Sequence, residues 1–132
     1  MKKIFYSLLI LSLFIGFVGC DKDDDDDHNV TITIFEPSDG EVIADASDVH
    51  IHIEVTAEDE VHEVEIVLYE HDDPDTKIID IDQHSHESSV EFEQDIDLSA
   101  YPSGSEFHLK IEACKDHDCD ETEVKEIELT IE

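Results

Sequence analysis

Apolar and polar residues alternate with a period of two along most of the chain after residue 29. In the first run, Val30, Ile32 and Ile34 are separated by threonines, and residues 37–40 (PSDG) interrupt the alternation as a turn does. Successive side chains of a strand point to opposite faces, so this pattern predicts strands with one buried face. Beyond residue 29 no stretch carries a sustained helical period. We therefore expect little helix.

Seven runs of this kind follow one another. Their apolar positions are Val30, Ile32 and Ile34; Val49, Ile51, Ile53 and Val55; Val64, Ile66 and Leu68; Ile79 and Ile81; Val90, Phe92, Ile96 and Leu98; Phe107, Leu109, Ile111 and Ala113; and Ile127, Leu129 and Ile131. In the fifth run, the pattern does not determine whether the positions after Gln94 continue the alternation of Val90 and Phe92. Turn signals separate the runs by roughly 8–12 residues, which is typical of a sandwich. The sequence predicts an all-β fold, a seven-stranded antiparallel immunoglobulin-like β-sandwich over residues 30–132.

The N-terminal residues follow a different pattern. Lys2 and Lys3 precede sixteen uncharged residues that run from Ile4 to Gly19. As a helix of about 1.5 Å per residue, this stretch would span roughly 24 Å, less than the roughly 30 Å hydrocarbon core of a membrane. It is typical of a signal peptide, which we assign to residues 1–19.

Gly19 stands directly before Cys20, and this junction resembles the lipobox of bacterial lipoproteins. In that family the cysteine is diacylated, the peptide is cleaved before it, and the new N-terminus is acylated. The resemblance implies that Cys20 is the lipidation site and that lipid attaches the mature chain to a membrane. The alternatives are an uncleaved anchor and an ordinary secretory peptide.

Residues 20–29 combine the predicted lipidated cysteine with an acidic spacer. The run from Asp21 to Asp27, broken only by Lys22, resembles the export signal of Gram-negative bacteria that display lipoproteins on the cell surface. In other Gram-negative groups an aspartate directly after the cysteine retains the protein at the inner membrane. Like charges also repel and extend a chain, so the run suits a solvated spacer. We expect an outer-membrane lipoprotein at the cell surface, with a periplasm-facing position as the alternative.

The charge balance is strongly acidic. The chain has 38 Asp and Glu against 7 basic residues, all lysines, and a formal net charge of −31 at pH 7. Without basic patches or guanidinium groups the chain cannot neutralise phosphates, so nucleic acid is excluded as a partner. Repulsion among like charges weakens the compact state, and it favours cationic partners or counter-ions.

The predicted domain resembles a known group. Residues 97–104 (DLSAYPSG), residues 107–113 (FHLKIEA) and Asp116 are similar to the penultimate-strand signature of bacterial immunoglobulin-like and fibronectin type III-like domains. The turn at residues 37–40 and the runs after it are similar to their opening strands, so the resemblance covers about residues 30–132. The chain departs from the group at Phe107, where many members have a tyrosine, and in the Cys-containing acidic loop that follows. The resemblance implies a binding or spacer module.

Cys114 and Cys119 remain once Cys20 is assigned to lipid. In an exported protein such a pair predicts a disulfide, here closing a six-residue loop worth about 2 kcal/mol on the chain-entropy model. The alternative is a metal site formed by Cys114, His117 and Cys119, which requires both thiols to stay reduced.

Histidines and carboxylates occupy the outward positions of three predicted strands. They are His50, His52 and Glu54 in the second run, Asp80, Asp82, His84 and His86 in the fourth, and Glu91 and Glu93 in the fifth. We expect these strands to share one sheet, with the fifth between the second and the fourth. Its outer face would then carry imidazole and carboxylate groups together.

Such a face offers ligands for a divalent cation, although no cofactor is certain. Imidazole suits Zn, Cu or Ni, and carboxylates suit Ca or Mg. The candidate ligand sets are His84 and His86 with Glu91, or His50 with His52. The alternative is an ordinary solvated acidic face without an ion. A turn containing Asp72, Asp73 and Asp75 is a candidate for Ca, or is simply solvated.

Catalysis has little support in the sequence. Only Gly40 and Gly104 follow the predicted cleavage point, so neither a Gly-rich phosphate loop nor a Gly-x-Ser-x-Gly elbow can form. We expect a binding module and no enzyme. Its partners would be the membrane, through the lipid, and a protein or glycan of the cell envelope. The alternative function is an envelope lipoprotein that captures divalent metal on its histidine and carboxylate sheet face.

Overall fold

A computed structural model describes residues 29–132, which form two β-sheets without any helix. The predicted all-β class is therefore confirmed for this part of the chain. The described residues include no helix long and apolar enough to cross a membrane. The predicted signal peptide, Cys20 and the acidic run to Asp27 lie outside the described residues.

Eight strands make up the two sheets. They are β1 (Val30–Glu36), β2 (Glu41–Ile43), β3 (Val49–Ala57), β4 (Glu63–Glu70), β5 (Asp73–His84), β6 (Ser89–Ile96), β7 (Glu106–Cys114) and β8 (Thr122–Ile131). One sheet has the order β1-β3-β6, and the other has the order β2-β8-β7-β4-β5. All neighbours pair antiparallel except β2 and β8, which are parallel.

The inner faces of both sheets share one hydrophobic core. Ile51 and Ile53 of β3 and Leu109 and Ile111 of β7 are at most 1% exposed. Each position follows from the alternation, because every second side chain of a strand faces the opposing layer. Burying one such side chain stabilises the fold by roughly 1.5–3 kcal/mol.

The strand β2 was not predicted from the sequence. It has only three residues, too few to show an alternating run, and Val42 at its centre is 60% exposed. It pairs in parallel with β8, so the prediction of seven purely antiparallel strands is wrong. The residues between β1 and β2 form the predicted turn, with Gly40 at a φ of 73° that favours glycine.

The position of β5 also differs from the prediction. We expected this strand beside the fifth run, but β5 pairs with β4 at the edge of the five-stranded sheet, with Ile79 opposite Leu68. His71 and Asp72 alone connect the two strands, and so short a connection places antiparallel neighbours side by side. The alternation defines which face is buried and carries no information about the neighbour.

The same hairpin changes the predicted acidic turn. Asp73 and Asp75 belong to β5, and only Asp72 lies in the connection. The three carboxylates therefore do not form one loop, and the structure gives no group of metal-ligand distances among them.

Candidate functional site

Three connections meet at one end of the two sheets: residues 58–62 between β3 and β4, residues 85–88 between β5 and β6, and residues 115–121 between β7 and β8. We call this region the loop end. The strand registers place them together, because Thr56 is opposite Ser89, Glu63 is opposite His84, and Val64, at the start of β4, is opposite Ala113, near the end of β7. Histidines and carboxylates concentrate in all three connections.

Backbone hydrogen bonds hold two of these connections against each other. The amide of Val61 donates to the carbonyl of Glu87 at 2.7 Å, and the amide of Ser85 donates to the carbonyl of His62 at 2.9 Å. Val61 is fully buried in the core. Because Val61 is held by the core and by its hydrogen bond to Glu87, its neighbours Glu60 and His62 have a defined position beside residues 85–88.

The side chains at this contact converge on His86. His84 Nε2 lies 3.2 Å from His86 Nε2, and His86 Nδ1 lies 3.2 Å from Glu60 Oε2. One ligand atom each from Glu60, His62 and His86 lie within 4.8 Å of one another. Two or three imidazoles with a carboxylate are a donor set suited to zinc-class metals.

His62 has an unusual environment within the loop end. Its Nδ1 atom is buried, and no hydrogen-bond partner for that atom is present among the described residues. Its ring stacks on that of His117, with centroids 5.4 Å apart. Buried polar atoms are rarely left without a partner, and an ion or a water is a usual explanation.

The third connection contains Cys114 and Cys119, whose Sγ atoms are at a disulfide distance of 2.06 Å. Asp116 holds the loop by accepting backbone hydrogen bonds from Asp120 at 3.0 Å and Glu121 at 3.1 Å. These bonds, led by the one from Asp120, lower the pKa of the Asp116 carboxyl. Glu63 lies close to both sulfurs. Paired sulfurs are not thiolates, so in this state the two cysteines are not metal ligands.

The outer face of the three-stranded sheet carries the other predicted histidines, each beside a carboxylate. His50 Nδ1 lies 2.6 Å from Asp95 Oδ1, and His52 Nε2 lies 2.9 Å from Glu91 Oε1. Ionised carboxylates only accept, so the imidazoles donate. The hydrogen bond to Asp95 raises the pKa of His50, with smaller contributions from neighbouring carboxylates.

The predicted ligand sets are thus divided between two places. His84 and His86 stand at the loop end, while His50 and His52 lie on the three-stranded sheet, because β5 belongs to the other sheet. Glu91 lines an open cleft of about 500 Å³ together with His84 and His86. Its carboxylate is nevertheless directed to His52.

Sequence reasoning missed Glu60 and His62 at the loop end. Their connection shows no alternation, and residues 58–60 read as an ordinary acidic loop. The usable signal was the single apolar residue Val61 between two potential ligands. A buried residue in a polar loop fixes the side chains on either side of it.

It also missed a cluster on the outer face of the five-stranded sheet. His108, only 12% exposed, contacts Glu126 through Nδ1 at 2.8 Å and His71 through Nε2 at 2.7 Å. The ring of Tyr69 stacks on His108 with centroids 5.2 Å apart. Desolvation, followed by the charge of Glu126, raises the pKa of the Tyr69 hydroxyl. The pairing of β4 with β7 and of β7 with β8 brings Tyr69, His108 and Glu126 together, and His71 directly follows β4.

The lysines of the described part of the chain are all engaged. Lys77 contacts Asp80 at 2.9 Å, Lys110 contacts Glu112 at 2.9 Å, and Lys115 contacts Glu123 at 3.3 Å. Lys125 donates to the carbonyl of Ile32 at 3.2 Å. The remaining carboxylates therefore dominate the surface of residues 29–132.

Comparison with known proteins adds no assignment. No model of a known protein family matches the chain, and no curated protein matches it at a significant level.

Proposed function

We propose that the chain is a bacterial lipoprotein that holds one immunoglobulin-like β-sandwich at the cell envelope as a binding module. The tether rests on the sequence, in which basic residues, an apolar stretch and Gly19 precede Cys20. Several acyl chains on Cys20 would anchor the chain firmly, where a single chain is marginal. The acidic residues 21–27 would extend the domain away from the membrane, at the cell surface.

The strand order supports the immunoglobulin-like part of the proposal. In that fold the first, second and fifth strands share one sheet, and the third, sixth and seventh share the other. Here β1, β3 and β6 take the first set of places, and β4, β7 and β8 take the second. The edge strand β5 then corresponds to the strand that variable-type domains add beside the third strand.

The observation that carries the binding role is the engagement of every described lysine. Since Lys77, Lys110 and Lys115 already contact carboxylates, the surface that a partner meets is almost purely anionic. Such a surface attracts cationic groups and speeds their approach. The proposed partner is a protein or glycan of the envelope that exposes positive charge, and the module carries out no reaction.

Mass spectrometry of the mature product from cells tests the tether. We expect the chain to begin at Cys20 and to carry acyl groups there, and Cys20→Ser to release the protein from the membrane fraction. Protease treatment of intact cells should remove the domain if it faces outward. An unmodified Cys20 in the mature product would contradict the lipoprotein proposal.

Crosslinking on intact cells tests the partner. We expect recovery of partners with exposed basic groups, and we expect recovery to fall as salt rises from about 0.01 M to 1 M, because screening shortens from roughly 30 Å to 3 Å. The Cys20→Ser chain, which is not held at the membrane, is the control. A partner set that is insensitive to salt would rule out recognition by charge.

A further inference from the structure

We propose that Glu60, His62, His84 and His86 at the loop end form a binding site for one divalent transition-metal ion of the zinc class. The proposal goes beyond the binding module described above and does not depend on the lipid anchor. It also differs from the predicted metal face, since Glu60 and His62 come from the connection between β3 and β4.

The spacing of the donor atoms is the first argument. In a tetrahedral zinc site with bonds of about 2.0–2.1 Å, two nitrogen ligands stand roughly 3.3 Å apart. The Nε2 atoms of His84 and His86 are 3.2 Å apart. The two nitrogens therefore need to move little to bind the same metal ion.

The second argument concerns the orientation of His86. Glu60 Oε2 lies 3.2 Å from His86 Nδ1, so the protonated Nδ1 donates to the carboxylate and leaves the lone pair on Nε2. Metal-bound histidines commonly carry such a carboxylate on the other ring nitrogen, which fixes the ring and increases its basicity. Glu60 is thus placed to orient His86.

The third argument concerns the buried ring nitrogen of His62. A ligand atom of His62 belongs to the group within 4.8 Å, while its buried Nδ1 has no hydrogen-bond partner among the described residues. A metal ion supplies a partner that the surrounding side chains do not. The backbone bonds from Val61 and Ser85 hold both connections in place before the ion arrives.

The chemistry of the donors defines the class of ion. Three imidazoles select Zn²⁺, Ni²⁺ or Cu²⁺, whereas Ca²⁺ and Mg²⁺ require mainly oxygen ligands. The acidic surroundings attract any divalent ion, but this attraction does not distinguish Zn²⁺ from Ca²⁺. Selectivity for Zn²⁺ over Ca²⁺ is therefore the property that separates a site from diffuse screening.

Calorimetric titration of the full chain in detergent with ZnCl₂, and separately with CaCl₂, tests the site. We expect saturable Zn²⁺ binding, of which one equivalent is lost in the double variant His84→Ala/His86→Ala. The matched control is His50→Ala/His52→Ala, which also removes two histidines and should keep that equivalent. Glu60→Gln should weaken the same equivalent about 10- to 100-fold.

Thermal melts provide a second readout. Zn²⁺ that binds only the folded chain should raise Tm with its concentration in the parent and in the control His50→Ala/His52→Ala. It should not raise Tm in His84→Ala/His86→Ala. Circular dichroism without metal verifies that each variant is folded, which is expected because His84 and His86 are exposed. Equal responses to Zn²⁺ and Ca²⁺, or equal losses in both double variants, would overturn the proposal.

Discussion

At the scale of single residues, the hydrogen-bond partner of each candidate histidine ligand depends on which residue the fold places beside it. His50 and His52 belong to the same strand and point to the same side, yet each meets a different carboxylate of β6. His84 contacts His86, and His86 also contacts Glu60. The sequence placed all four at exposed positions, but their partners lie 26 to 45 residues away along the chain, except for the neighbouring pair.

His50 should titrate above the ordinary histidine value of about 6.5, because its protonated ring donates to Asp95. Asp95→Asn should move its pKa back toward that value, as measured by NMR titration of the ring. The folded pKa is raised, so this contact stabilises the fold at pH values below about 6.5, and the contribution is lost as pH rises through the folded pKa.

Asp97→Asn is the control for Asp95→Asn. It also removes one carboxylate charge, directly after β6, but the Asp97 carboxylate accepts a hydrogen bond from Ser99 and not from His50. That variant should leave the His50 titration nearly unchanged. A pKa of His50 at or below 6.5 in the parent chain would contradict the assigned contact.

Phe107 is the largest fully buried side chain, and Tyr101 packs edge-on against it at 5.0 Å between centroids. Phe107→Ala should lower the free energy of unfolding by about 3–5 kcal/mol, since it leaves a cavity in the shared core. Denaturant unfolding measures the change. Phe35→Ala removes an equal ring that is 49% exposed, and it should cost less than about 1 kcal/mol.

At the scale of elements, the alternation located the strands of seven residues or more, but it gave neither the start of β5 nor the strand pairing. It correctly marked the buried faces of β3, β4 and β7, because burial of one face is a local property of a strand. It missed β2, which is too short to show a period. It misplaced β5, because the neighbour of an edge strand depends on the connection and not on the strand's own pattern.

The hairpin of β7 and β8 should depend on its cysteine pair. The double variant Cys114→Ser/Cys119→Ser should lower the free energy of unfolding by about 2 kcal/mol, because the unfolded chain regains the freedom of a six-residue loop. Denaturant unfolding with and without reductant measures this. Reductant should destabilise the parent by a similar amount and leave the variant unchanged, and a parent that ignores reductant would show that no disulfide forms.

At the scale of the whole molecule, charge is the dominant feature. The full chain has a formal net charge of −31, and the four lysines among residues 29–132 are already held by carboxylates or by a carbonyl. Repulsion of this kind acts over the entire surface and opposes the compact state. The fold tolerates it because the charged side chains lie on the outer faces of both sheets.

The melting temperature should therefore rise as NaCl increases from about 0.01 M to 0.5 M, since the screening length falls from roughly 30 Å to less than about 10 Å and weakens the repulsion. Thermal melts by circular dichroism measure it, and KCl should give the same rise as NaCl. A melting temperature that is constant or falls with salt would show that self-repulsion does not limit the stability of this fold.

The sequence by itself determined the strand class, the buried faces of β3, β4 and β7, the cysteine pair and the acidic surface. These properties depend on residues close together along the chain or on composition. Only the tertiary structure decided that β5 joins β4, that β2 joins β8, and that Glu60 and His62 lie close to His86. The reason is that alternation repeats every two residues and is the same for any partner strand, whereas a site needs the register and the connections that bring distant residues within a few ångströms.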